Sequence, residues 1–159
     1  MSFCPHPAPA NAPRAGEIHA LATELLAMYG LHDWSFAFNR RKREMGLCLY
    51  GLQRIELSLH FVELNGEEAI RETLRHEIAH ALVGPGHGHD AVWKQKCREV
   101  GAKAERLCYE VKMPEGRWHA RCGGCGMLHS RHRRPKHAGG WYCIHCGRDR
   151  GRLTWNRAG

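Results

Sequence analysis

Near the middle of the chain, the sequence reads Arg75-His76-Glu77-Ile78-Ala79-His80-Ala81-Leu82. On an α-helix, successive residues turn by about 100°, so that His80 lies about 40° from His76 around the axis and Glu77 about 100° from it. The two imidazoles therefore share one face, one turn apart, where both can reach a single metal ion. Glu77 is displaced to the side, where a base would contact a water molecule rather than the metal.

The helix that carries this motif is expected to begin after Asn65-Gly66 and to run to about Val83, where Gly84-Pro85-Gly86 ends it. Its apolar residues follow a helical period on a different face from the histidines: Ile70, Leu74, Ile78, Ala81 and Leu82. An active-site helix needs such a face to bury against a core. The alternative is an ordinary amphipathic helix with two surface histidines.

A third metal ligand is expected from the turn after this helix, which contains His87 and His89. We favour His89, because it lies at the start of a further helix near Asp90 whose Trp93 would anchor it; His87 remains the alternative. Three imidazoles leave a fourth coordination position for water, whose pKa zinc lowers to about 7. Zinc would then polarise a peptide carbonyl, and Glu77 would move the proton from water to the leaving amine.

Upstream of the motif, the apolar spacing predicts one helix followed by strands. Residues 18–29 have a helical period, and Gly30 ends the helix. Apolar and polar residues then alternate over 34–38, 47–49 and 55–61. Period two with one apolar face is typical of half-buried strands, and the expected pairing is antiparallel. A further short strand is expected over 107–111.

The C-terminal region contains two Cys-x-x-Cys pairs, Cys122 with Cys125 and Cys143 with Cys146, separated by 17 residues. This spacing predicts a four-thiolate zinc site. Because all four ligands are thiolates, the site would be closed and structural rather than catalytic. The other cysteines lack metal-type spacing and are expected to be idle or buried thiols: Cys4, Cys48, Cys97 and Cys108.

The formal net charge of +8 is concentrated around these cysteines, because residues 117–152 hold nine Lys or Arg and one acid. We expect the cluster Arg131, Arg133, Arg134 and Lys136 to contact nucleic acid, with single-stranded DNA as one form of the partner. The alternative is a solvated basic surface. Trp141 is expected to cover the small core of this module rather than to stack on bases.

Length and composition predict about one domain plus a small module. We expect a flexible tail over 1–13, a metalloprotease domain over 14–114, a zinc ribbon over 115–152 and a C-terminal tail over 153–159. No apolar run of 18 residues and no secretory signal are present. The expected location is therefore cytoplasmic, with nucleoid association as an option, and neither a membrane nor a nucleotide cofactor is expected.

Five stretches resemble the SprT-like family of zinc metalloproteases, which includes the Spartan proteases, over roughly residues 15–150. They are Trp34 with Phe36 and Phe38, Arg54-Ile55-Glu56-Leu57-Ser58, Thr73 to His80, Gly88-His89-Asp90-Ala91-Val92-Trp93, and the cysteine pairs. The resemblance implies an α+β fold with a small zincin-like metalloprotease core and a Cys4 zinc ribbon. It also implies that Glu77 is the catalytic glutamate, that His89 is the third ligand, and that Spartan-type cleavage of DNA-crosslinked proteins depends on DNA.

The sequence thus predicts a zinc metalloprotease with one catalytic and one structural Zn²⁺, acting on DNA-bound or DNA-crosslinked proteins in the repair of such crosslinks. A different hypothesis is a non-enzymatic nucleic-acid-binding zinc protein that uses a peptidase-like scaffold. A third is a metal-dependent hydrolase of RNA, although a glutamate within the motif fits peptide chemistry better.

Overall fold

The computed structural model describes residues 15–105, 111–136 and 140–158. The chain divides into two compact units, Met1–Pro114 and Glu115–Gly159. The tail expected over 1–13 and most of the strand expected over 107–111 lie outside the described residues. Among the helices that are described, none combines the length and the apolar character needed to cross a bilayer.

In the described part of the first unit, five helices or strands and one 3₁₀ turn precede the motif helix, and one helix follows it. In chain order the unit contains α1 Ala15–Met28, β1 Ser35–Asn39, β2 Gly46–Leu49, a 3₁₀ turn Tyr50–Leu52, β3 Arg54–Ser58, α2 Leu59–Leu64, α3 Glu67–Val83 and α4 Ala91–Glu99. Its core contains Ile18 of α1, Leu57 of β3, Ile78 of α3 and Trp93 of α4, each no more than 1% exposed. Burying a large apolar side chain contributes about 1.5–3 kcal/mol. The predicted α+β class is confirmed.

The sheet of the first unit has the order β1-β3-β2. Strand β2 pairs with β3 antiparallel, as expected, but β1 pairs with β3 parallel, with Phe36 opposite Ile55. The expectation of purely antiparallel strands is therefore wrong for this pair. Strands β2 and β3 are joined by a short turn, which is typical of antiparallel pairs. The alternation of apolar and polar residues indicates which face of a strand is buried, but it does not indicate the direction of the neighbouring strand.

The third alternating stretch does not continue as a strand. Strand β3 ends at Ser58, and residues 59–64 form α2. The Ser58 hydroxyl oxygen accepts a hydrogen bond from the Phe61 N–H at 3.5 Å, which caps the helix. Phe61 is fully buried in this helix. A strand would also have placed it on the apolar face, so alternation alone could not reveal this change.

Both ends of the motif region are held by local hydrogen bonds. Helix α3 ends where Gly84, with φ of 81°, donates its N–H to the His80 carbonyl at 3.0 Å. Helix α4 begins after Asp90, whose Oδ1 accepts from the Trp93 N–H at 3.0 Å. These two ends bound the turn that carries His89.

The second unit is a small ribbon with strands β4 Trp118–Arg121, β5 Leu128–Arg131 and β6 Asn156–Arg157, and the short helix α5 Gly147–Arg150. Its sheet has the order β5-β4-β6 with antiparallel pairs. Parts of the stretch that was expected as a C-terminal tail over 153–159 pack on this unit: Leu153 is 3% exposed in the ribbon core, and β6 pairs with β4. Two paired residues are too short a stretch to show a period in sequence.

Candidate metal centres

Three imidazoles converge at the side of α3. His76 and His80 come from α3 itself, and His89 comes from the turn before α4. The His89 Nε2 atom lies 3.3 Å from the Nε2 atom of His80 and 3.3 Å from that of His76. A tetrahedral zinc ion with bonds of about 2.0–2.1 Å separates its ligand nitrogens by about 3.3–3.4 Å. The donor atoms and their spacing therefore fit zinc.

The two histidines of the turn have different surroundings. His89 joins His76 and His80, whereas the His87 Nδ1 atom lies 2.8 Å from the Asp90 Oδ2 atom. The same Asp90 carboxylate caps α4 with its other oxygen. The structure thus groups His89, and not His87, with His76 and His80.

The surroundings of the α3 imidazoles keep them neutral. Burial, followed by the neighbouring imidazoles, lowers the pKa of His76 to about 3, and burial together with His89 lowers the pKa of His80 to about 4. A neutral imidazole is the form that binds a metal ion. At neutral pH neither ring needs to lose a proton before it can coordinate.

Glu77 lies on α3 beside these ligands and is 8% exposed. Burial raises the pKa of its carboxyl group to about 8. Without a nearby cation the group therefore keeps its proton at neutral pH, and a divalent cation close by would favour the carboxylate. Such a buried group, whose protonation depends on its environment, suits proton transfer.

Gly46, in β2, passes directly against Glu77. A Cβ at this position would lie 2.8 Å from the Glu77 Cγ and 2.9 Å from its Oε1. The same Cβ would lie 3.0 Å from the Thr73 Cγ2 atom, so a side chain at this position would force Glu77, Thr73 or β2 to shift. Gly46 was not predicted from the sequence, because nothing in a glycine at a strand end indicates what packs on it.

Tyr50 is a second residue near the site that the sequence did not indicate. It follows β2 in the 3₁₀ turn, and its hydroxyl donates to the His80 carbonyl oxygen at 3.3 Å. The same oxygen accepts from the Gly84 N–H. Tyr50 also meets the Trp34 ring edge-on, with centroids 6.3 Å apart. The carbonyl group of one prospective ligand is therefore held by two donors.

In the ribbon, the four predicted thiols come together: Cys122, Cys125, Cys143 and Cys146. The Sγ atoms of Cys125 and Cys143 are 3.7 Å apart, and zinc with bonds of about 2.3 Å to sulfur separates tetrahedral thiolates by about 3.8 Å. Backbone N–H groups of Cys125 and Gly124 lower the pKa of the Cys122 thiol to about 7. This donor set fits a closed zinc site.

Two of the remaining cysteines lie within the described residues. Cys97 is fully buried and Cys48 is half-buried, and burial raises the pKa of both thiols to about 12. Both are therefore protonated at neutral pH, and neither is an activated nucleophile. Cys4 and Cys108 lie outside the described residues.

The four basic residues that were expected to contact nucleic acid have different surroundings. The Arg131 guanidinium lies 3.9 Å from the centroid of the Trp141 ring, so this cation is engaged with an aromatic residue of the ribbon core. Arg134 and Lys136 border a cavity of about 420 Å³, together with Trp118, Pro135, Thr154 and Trp155, and the Arg134 guanidinium lies 5.6 Å from the centroid of the Trp118 ring. Arg133 is exposed. Trp118 and Trp155 were not indicated by the sequence as members of a cavity.

A comparison with protein-family models matches residues 18–113 to the SprT-like family. The match begins within α1, continues beyond α4 and includes every residue of the histidine site. It indicates a zinc metalloprotease-like function. The ribbon lies beyond the matched residues. No curated protein matches the chain.

Proposed function

The chain belongs to the SprT-like family, and on that basis we propose that it is a zinc-dependent endopeptidase. In this proposal His76, His80 and His89 hold the catalytic zinc, and Glu77 is the catalytic acid–base. The observation that carries it is the spacing of 3.3 Å from the His89 Nε2 atom to each of the other two Nε2 atoms, which fits a tetrahedral ion. The buried carboxyl group of Glu77 lies next to His76 in the same helix.

A zinc ion held there would supply a Lewis acid for the peptide carbonyl and would lower the pKa of water. The protein supplies the proton transfers. Glu77 accepts a proton from the attacking water and donates it to the leaving amine. Its near-complete burial supports this role, because a poorly solvated carboxylate binds a proton more readily than one in water.

We propose further that the ribbon binds DNA, and that the substrates are proteins bound or crosslinked to DNA. The support is local to the ribbon: the excess positive charge of residues 117–152, and a cavity that combines two tryptophans with Arg134 and Lys136. Aromatic rings can stack on unpaired bases while cations neutralise phosphates, which favours single-stranded DNA. A DNA partner would place the protein in the cytoplasm, at the nucleoid.

The test of the peptidase is Glu77→Gln, assayed on a DNA-binding protein with and without single-stranded DNA. We expect cleavage to fall by about 10²–10⁴-fold, because general acid–base catalysis contributes about that much. Glu68→Gln is the matched control, since Glu68 is exposed on the same helix. Cleavage by Glu77→Gln at the parental rate would refute the mechanism.

The DNA proposal has its own test. The double variant Arg134→Ala/Lys136→Ala should weaken binding to single-stranded DNA and reduce the salt dependence of the affinity by about two released counterions. Lys94→Ala/Lys96→Ala, on α4 of the other unit, makes the same charge change and should leave binding unaltered. If both double variants lost the same amount of affinity for single-stranded DNA, then the net charge of the protein, and not the cavity, would govern binding.

The second candidate function is a nucleic-acid-binding protein without peptidase activity. The observation that favours it is that the ribbon cavity uses none of the residues of the histidine site. It predicts tight, salt-dependent binding and no proteolysis even when both metal centres are loaded with zinc. A turnover that requires Glu77 would exclude it.

A further inference from the structure

One indole contacts all three imidazoles of the histidine site. The Trp93 ring centroid lies 4.7 Å from that of His76, 5.1 Å from that of His80 and 4.5 Å from that of His89. It stacks on His80 at an interplanar angle of 26° and meets His89 nearly perpendicularly, at 89°. The imidazoles thus stand around a single flat surface.

Packing alone does not explain a tryptophan at this position. Trp93 is fully buried, and its Nε1 atom is buried with no hydrogen-bond partner among the described residues. A buried unpaired donor is unfavourable, and a Leu or Phe would fill core volume without it. The indole, however, has a large rigid face that contacts three imidazole rings at once.

The start of α4 fixes the position of this indole relative to His89. Trp93 donates its backbone N–H to the Asp90 Oδ1 atom, and Asp90 directly follows His89. His76 and His80 belong to α3, so the indole joins ligands from two separate elements. If α4 moved relative to α3, these ring contacts would change together.

We propose that Trp93 is a positioning residue of the zinc site, whose indole holds the three imidazoles in ligating orientation before the metal binds. The inference rests on the proposed zinc-binding function. Ligands whose side-chain rotations are already restricted lose less conformational freedom on binding, which raises affinity. Partners outside the coordination shell typically change metal affinity by about 10–100-fold.

The test compares zinc affinity in the full chain for the parent, Trp93→Phe and Trp93→Leu by competition with a chelator. We expect the affinity of the histidine site to fall by about 10–100-fold in Trp93→Leu and by less in Trp93→Phe, which keeps a ring face. The thiolate site of each variant is the internal reference and should keep the parental affinity. Phe61→Leu is the matched control, because Phe61 is equally buried in the same unit.

The proposal would be overturned if the histidine site of Trp93→Leu bound zinc with the parental affinity. It would also be overturned if Phe61→Leu lost as much zinc affinity as Trp93→Leu, because such a loss would indicate general destabilisation. A second measurement needs no variant at Trp93: filling the histidine site should change the indole emission of the parent, and His76→Ala should abolish the change. An unaltered emission would contradict the contact. If the parent binds zinc only at the thiolates, the proposed function itself fails.

Discussion

The two candidate metal centres of this chain differ in their donor atoms and in the apolar core that supports them. In the ribbon, four sulfur atoms surround the site, and its fold has a small apolar core that includes two of the cysteines themselves. In the first unit, three nitrogen atoms come together beside a buried carboxyl group, next to an apolar core that has eighteen buried members among the described residues. In our proposal, zinc would stabilise the fold of the ribbon, whereas the fold of the first unit would hold an open zinc site.

The largest expected effect concerns the ribbon. Cys143→Ser should unfold the second unit, because zinc binding by such small modules supplies about 10–16 kcal/mol of folding free energy. The first unit should keep its own thermal transition and its own zinc. Metal analysis combined with limited proteolysis measures both.

Cys48→Ser is the control for this change, since Cys48 lies in the other unit and should leave both zinc ions in place. If Cys143→Ser also removed the zinc of the histidine site, the thiolate and histidine centres would not be independent of each other. The contrast between these two centres would then be wrong.

A smaller effect is expected at the close contact between β2 and α3. Gly46→Ala would place a methyl group 2.8 Å from the Glu77 Cγ, so Glu77, Thr73 or β2 must shift. Misplacement of a catalytic group by about 1 Å costs up to about 100-fold in rate. We therefore expect cleavage to fall by up to about that factor while the zinc content stays at the parental value.

Gly51→Ala is the matched control, because no heavy atom lies within 4 Å of a Cβ at that position. A peptidase assay with metal analysis separates the outcomes. Loss of zinc in Gly46→Ala would mean that β2 supports the ligands rather than Glu77, and full activity would mean that the contact is not functional.

The smallest effect is expected for Tyr50→Phe, which removes one donor from the His80 carbonyl and leaves the Gly84 donor. One hydrogen bond contributes about 1 kcal/mol, or about fivefold. We expect zinc affinity at the histidine site to fall by about that factor, measured by chelator competition.

Tyr29→Phe provides the comparison, because the Tyr29 hydroxyl donates to the Val100 carbonyl at 2.9 Å in the same unit. It should lower the unfolding temperature without changing zinc affinity. If both tyrosine variants weaken zinc binding alike, the effect reflects stability and not the position of His80.

The chain contains clear local signals for the ligand-bearing elements. The period of α3 and the stops at Gly84 and Gly30 predicted helices that the structure contains, and the motif placed His76 and His80 on one face. The four cysteines were expected together because their spacing is short within each pair. The SprT-like resemblance is confirmed over residues 18–113.

What escaped prediction depends on contacts between distant parts of the chain. The parallel pairing of β1 with β3, the approach of Gly46 to Glu77 and the bond from Tyr50 to His80 all join segments that no local period links. The alternation of apolar and polar residues predicted that β3 would continue beyond Ser58. The strand ends there, because the Ser58 side chain accepts a hydrogen bond from the first turn of α2. The two-residue β6 has no pattern to detect.

The most direct measurement is the number of zinc ions bound per chain by the parent, by His89→Ala and by His87→Ala. Three imidazoles at one centre and four thiolates at the other should give two zinc ions in the parent, one in His89→Ala and two in His87→Ala. One zinc ion in the parent, or two in His89→Ala, would contradict the claim that His76, His80 and His89 together hold a metal beside Glu77.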